Sequence, residues 1–221
     1  MIKNSEWDII GSRAGSLPTM DEKDMNNNME HLLKKRKEKH SLGIYIHIPF
    51  CVKKCDYCDF LSFSGDIRLK KEYVHALAKE IQSLKDYKKE YEVSTVFIGG
   101  GTPSVIDEND ILFIMDTLKD TFNIEENSLK EVTIECNPGT LTLEKLLAYK
   151  KAGISRLSIG LQSANDEELK LLGRIHNFKD FADNYKLARK VGFLSARADN
   201  RQFCGYIRKS SCPGAGTYLS L

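Results

Sequence analysis

Between residues 43 and 193 the chain alternates short apolar runs with longer stretches of helical period. In "GIYIHI", Ile44, Ile46 and Ile48 alternate with Tyr45 and His47, which predicts a strand with one apolar and one polar face. A helical stretch from about Arg68 to Tyr87 follows, in which Tyr73, Leu77, Ile81 and Leu84 recur at spacings of three or four. The succession then repeats: "STVFIG" before "ENDILFIMDTLKDTF", "EVTIE" before "TLEKLLAYKKAG", and "SRLSIGLQ" before "DEELKLLG" and "NFKDFADNYKLARKVGF". Gly153 and Gly192 stand where helices would be capped at their C-termini. Four strand–helix units in series predict an α/β fold with a parallel sheet and right-handed crossovers.

The strand faces narrow the choice of architecture. Val132 and Ile134 oppose Thr133 and Glu135, while Leu157, Ile159 and Leu161 oppose Ser158, Gly160 and Gln162. A doubly wound sheet, covered by helices on both sides, is apolar on both faces. Here one face is polar, which predicts a partial βα barrel of about four units. Its apolar face would pack against outer helices. Tyr45, His47, Glu135 and Gln162 would line a polar interior near the C-terminal strand ends, where barrel enzymes of this kind carry their sites.

The flanks differ in texture. Residues 1–42 form a polar extension ending in the basic run Lys34, Lys35, Arg36, Lys37 and Lys39, whose composition favours a solvated helical extension over a nucleic-acid or targeting segment. Met20, Met25 and Met29 leave open that translation starts later. Residues 194–221 keep neither strand alternation nor helical period, and Cys204 and Cys212 have no partner motif. The expectation is an aberrant tail from a frame-shifted or prematurely ended gene, leaving the fourth strand as an unpaired edge. Across all 221 residues, 33 basic and 31 acidic side chains give a net charge of +2, without the basic footprint of a nucleic-acid or membrane-surface binder. No run approaches the roughly 18 apolar residues of a spanning helix, and no secretory signal opens the chain. A cytoplasmic protein is expected.

Three of the six cysteines, Cys51, Cys55 and Cys58, crowd the stretch "YIHIPFCVKKCDYCDF". Structural zinc takes four ligands, usually as two separated pairs, and this loop supplies three. His47 is a poor fourth because its strand turns it inward, and Cys136 belongs to the helix-facing side of the third strand. An iron–sulfur cube held by three thiolates leaves one iron open to a non-protein ligand such as S-adenosylmethionine. The missing fourth cysteine therefore favours that cluster.

"YIHIPF" followed by "CVKKCDYC", with "FIGGGTPS", "VTIECNPGTLT" and "RLSIGLQSANDEELKLLGRIHN" further on, resembles the radical S-adenosylmethionine superfamily. Within it the chain is similar to the family of oxygen-independent coproporphyrinogen III oxidases and their haem-chaperone relatives. The resemblance covers roughly residues 43–193 and implies that Cys51, Cys55 and Cys58 hold a [4Fe-4S] cluster. It implies that Tyr45 and Tyr57 flank the cofactor site, and that Gly100, Gly101 and Thr102 approach the methionine end of S-adenosylmethionine. Glu135 would meet the cofactor's amino or ribose groups, and Gln162 and Arg174 its other polar groups. The glycine run lacks the Lys-Ser/Thr ending of a phosphate loop.

The chemistry implied is reductive cleavage of the cofactor's carbon–sulfur bond, and in the oxidases the resulting radical starts decarboxylation of a propionate of coproporphyrinogen III. The oxidases resemble Cys-x3-Cys-x2-Cys-x-Cys; here the last position is Phe60, as in the chaperone branch. The resemblance thus implies a haem chaperone, with haem as a further ligand, and an electron donor and haem-acceptor proteins as partners. A porphyrinogen-converting enzyme is the second reading. A truncated, inactive fragment of either is the third.

Overall fold

The computed structural model describes residues 39–193, 195–198 and 218–220. In chain order these form β1 (His40–Ile48), α1 (Ile67–Ser83), β2 (Tyr91–Gly100), α2 (Glu108–Phe122), β3 (Glu131–Cys136) and α3 (Leu143–Ala152). Then come β4 (Arg156–Ile159), α4 (Asp166–Leu171), α5 (Phe178–Lys190), β5 (Ser195–Ala198) and β6 (Tyr218–Ser220). The strands build one parallel sheet in the order β5-β4-β3-β2-β1-β6. The four strand–helix units read from the apolar pattern are all present.

Each helix starts where a short polar side chain satisfies a free amide. Asp66 accepts from Leu69 N, Asp107 from Asn109 N, Thr142 from Lys145 N and Asn165 from Glu167 N, while Asn177 and Asp180 form a reciprocal capping box. Gly153 ends α3 in the left-handed region at φ 89°, as its position predicted.

The predicted division of the sheet holds. Ile44, Ile46, Ile48, Ile98, Ile134, Leu157 and Ile159 are fully buried, and they pack with Leu77 and Ile81 of α1, Ile114 and Leu118 of α2, and Leu146 and Tyr149 of α3. Each such apolar side chain contributes about 1.5–3 kcal/mol on burial. On the opposite face Tyr45, His47 and Glu135 stay half-buried. That face is where polar groups can meet a ligand.

Four boundaries and one topological expectation need correction. β1 begins at His40 and β2 at Tyr91, earlier than their apolar cores suggest, because Leu42 and Val93 extend the pairing between the two strands. α1 stops at Ser83 and gives way to a 3-10 turn over Lys85–Lys89. β4 ends at Ile159, short of Gln162. The fourth strand is not an unpaired edge: β5 lies against it in register from Arg156↔Ser195 to Ile159↔Ala198, and β6 pairs with β1. Backbone pairing needs only extended chain, and strands of four and three residues are too short to show a period of two. Residues 1–38, Cys204 and Cys212 lie outside the described residues.

Candidate functional site

At the C-terminal strand ends lies a cavity of about 260 Å³. Tyr45 and Glu135 reach it from strands, and Gly100, Gly101 and Thr102 from the end of β2 and the residues after it. Cys51, Cys55 and Cys58 reach it from the loop after β1, and Gln162 and Arg174 from chain beyond β4. Of the residues singled out from the sequence, Tyr57 and His47 do not line the cavity; the Tyr57 hydroxyl lies 3.4 Å from Arg174 Nη1.

The cysteine loop is closed at its base by backbone. Cys51 N donates to Phe63 O at 3.0 Å and Phe63 N to Pro49 O at 2.9 Å, so residues between them form an excursion with fixed ends. Phe50 anchors that base, fully buried with its ring edge-on to Phe63 and Tyr73 at 5.4 Å. The glycine run then passes beneath: Gly101 N donates to Ile48 O at 2.9 Å and Thr102 N to Phe50 O at 2.8 Å. A Cβ on Gly101 would sit 2.7 Å from Phe50 O and 3.0 Å from Cys51 Sγ, so only glycine lets the chain pass this close. Gly100 adopts φ 117° and donates its N–H to Glu135 Oε2 at 3.2 Å.

Arg174 ties the loop to the strand ends. Its Nη1 lies 3.5 Å from Cys55 Sγ, and Nη2 donates to Asn137 Oδ1 at 2.8 Å and Gly160 O at 3.2 Å. Asn137 in turn donates to Thr102 Oγ1 at 3.2 Å, and that hydroxyl lies 3.5 Å from Cys51 Sγ. Asn137 went unnoticed in the sequence, although it directly follows β3 and stands two positions after Glu135. Lys145 also escaped notice: its Nζ donates to Ser104 O, and burial pulls its pKa below the usual lysine range.

Gln162 requires a correction. The alternation put it on a strand, whereas Leu161 N donates to Ile159 O at 2.9 Å and Gln162 itself sits in a turn at φ 66°. Its side chain still reaches the cavity. On the far wall Tyr45 stacks on Phe97, and its hydroxyl meets His47 Nδ1 at 3.1 Å. His47 Nε2 lies 3.1 Å from Leu61 O, which makes Nε2 the donor and Nδ1 the acceptor of the Tyr45 proton. His47 thus bridges Tyr45 to the Leu61 carbonyl rather than lining the cavity itself. Burial, with Glu135 nearby, holds the Tyr45 phenol above its usual pKa, so it stays a donor.

The donor set suits a cluster. Among the described residues no three His, Cys, Asp or Glu side chains converge to hold a single metal ion, yet three thiols of one loop open on one cavity. Cys136, which also borders the cavity, is a different case: it comes from β3, its thiol is buried against Ile134 O, and burial raises its pKa strongly. Among the described residues, Gln162 Oε1 and Arg174 Nε are buried without a hydrogen-bond partner. Orphaned polar atoms beside a cavity are what a polar ligand would satisfy.

Known proteins agree with this arrangement. The heme chaperone HemW of Haemophilus influenzae is 40% identical over 72% of this chain and 42% of its own length. HemW of Escherichia coli is 39% identical over 72% and 42%. The solved structure of coproporphyrinogen III oxidase (HemN) from Escherichia coli superposes with a TM-score of 0.66 at 28% identity, over 76% of this chain and 39% of that one. The chain therefore spans about two fifths of the length of these relatives. The profile of the radical SAM superfamily matches residues 45–199, from Tyr45 on the cavity wall through β5. With the cysteine loop, the glycine run and the partial βα barrel all inside that span, the chain belongs to the radical SAM superfamily.

Proposed function

We propose that the protein binds a [4Fe-4S] cluster and S-adenosylmethionine in this cavity and serves as a haem chaperone. The convergence of Cys51, Cys55 and Cys58 on a cavity that also holds the unpartnered Gln162 Oε1 and Arg174 Nε carries the cofactor part. The similarity to HemW, together with Phe60 at the position after Cys58 and Asp59, supports the chaperone part. On this reading the protein works in the cytoplasm with an electron donor and haem-acceptor proteins.

Cys51, Cys55 and Cys58 would hold the cluster, with Arg174 placing positive charge beside the Cys55 sulfur. Gly100, Gly101 and Thr102 would offer backbone polar groups to the cofactor's methionine end, and Glu135, Gln162 and Arg174 would bind its other polar groups. Bound there, the cluster and S-adenosylmethionine supply one-electron cleavage of a carbon–sulfur bond. Tyr45 and Phe97 form an aromatic wall that limits water.

Anaerobic reconstitution should load about four irons per chain, and Cys51→Ala, Cys55→Ala or Cys58→Ala should each abolish loading. Cys136→Ala should leave it intact. Equal loss from both groups would sink the cluster assignment. A second reading, coproporphyrinogen III oxidation, draws on the superposition with the Escherichia coli enzyme. Haem titration beside a porphyrinogen turnover assay separates the two: tight haem binding without turnover supports the chaperone, and turnover supports the oxidase.

A further inference from the structure

His176 lies between α4 and α5, is only 5% exposed and does not line the cavity. Its Nε2 lies 3.3 Å from the carbonyl oxygen of Leu161, an atom that can only accept, so Nε2 carries the proton. The other ring nitrogen, Nδ1, is buried without a partner among the described residues. A buried histidine with one committed donor and one orphaned acceptor is neutral. Burial first, and the neighbouring Arg174 second, push its pKa below 6.5, against the smaller pull of Leu161 O, Asp180 and Asp166.

The carbonyl it holds belongs to the turn that delivers Gln162. Leu161 O also accepts the Ser163 N–H at 2.9 Å, and the residue between them, Gln162, stands at φ 66°, a conformation glutamine rarely adopts. One residue earlier, Arg174 Nη2 holds Gly160 O at 3.2 Å. Two successive carbonyls of this turn are therefore gripped by side chains only two positions apart in sequence. Arg174 also faces the cavity; His176 does not, and grips the turn from behind.

We infer that His176 is a positioning residue, whose Nε2 proton clamps the Leu161 carbonyl and so holds Gln162 in the left-handed turn that turns its side amide into the cavity. The inference rests on the cofactor reading only for what Gln162 then binds; the clamp itself is a property of the unloaded chain.

The glutamine amide carries an N–H near the place of Nε2, the asparagine amide carries it near Nδ1, and phenylalanine carries none. Hydrogen exchange of the unloaded chain should show the amides of Leu161 and Ser163 exchanging about tenfold faster in His176→Phe and His176→Asn, and within about threefold of the parent in His176→Gln. Adding Gln162→Gly to His176→Phe should restore much of the protection, since glycine adopts the turn without strain. In the reconstituted protein, equilibrium dialysis should show S-adenosylmethionine bound about tenfold more weakly by His176→Asn than by His176→Gln, with iron content equal in both. Identical exchange in the Gln and Asn variants, or parental exchange in Phe, would overturn the clamp. If His176→Phe fails to fold, the Gln and Asn pair decides. Failure of the parent protein to bind S-adenosylmethionine would count against the cofactor reading alone, because the exchange measurement stands without it.

Discussion

Tyr45 and Glu135 reach the cavity from strands whose other face is fully buried, whereas Cys55, Cys58 and Gln162 reach it from irregular chain. The strand-borne half inherits its position from sheet register: Ile44 and Ile46 flank Tyr45, and neither can turn outward without taking an apolar side chain into water. The loop-borne half has no such support. Its residues are held by single polar contacts, chiefly those of Arg174 and His176, and by close backbone passage at Gly101. Exposure follows the same division. Val52 is 60% and Leu61 76% exposed on the cysteine loop, while the isoleucines of β1 are fully buried. Stability therefore draws chiefly on the strand-borne half, and substitutions in the two halves should separate.

The largest effect belongs to the sheet. Ile46→Ala should cost about 2–5 kcal/mol in denaturant unfolding, whereas Val52→Ala on the loop should stay within about 0.5 kcal/mol. Comparable losses at both positions would erase the distinction. Gly101→Ala tests the seam between the halves. Its Cβ meets backbone and Cys51 Sγ, so a cost of about 1–3 kcal/mol is expected, together with impaired iron loading.

A smaller effect follows from pH. The folded His176 pKa lies below its ordinary value of 6.5, so the folded state binds fewer protons than the unfolded one between the two values. The contribution is complete above pH 6.5 and declines as pH falls through the folded pKa; His176→Gln should flatten that part of a urea-midpoint profile. Smallest of all should be the response of Cys136. Its buried, strongly raised thiol should resist iodoacetamide in the native chain, while the partly exposed Cys55 and Cys58 react. Mass spectrometry of the labelled peptides gives the order directly.

Much of this was legible in the chain. The alternation in "GIYIHI" and "EVTIE" fixes which side chains share a face, because the pleat has a period of two and water penalises the wrong choice. The cysteine spacing singled out the loop after β1, and ten of the eleven residues expected to hold the cluster or cofactor line one cavity, while His47 does not. Gln162 was placed on the right side for the wrong reason: the alternation continues past Ile159, but the ladder does not.

Sequence by itself determined the order of the first four strands and their helices, the buried face of those strands and which thiols share one loop, since these depend on local period and on side-chain chemistry. Tertiary structure alone decided that Asn137 links Arg174 to Thr102, that His176 grips Leu161, and that Ser195–Ala198 closes the edge beside β4. Those contacts join residues whose partners no local period announces. They depend on where distant backbone atoms come to rest once the apolar face has packed, and hydrogen bonds at about 3 Å are set only after that packing is complete.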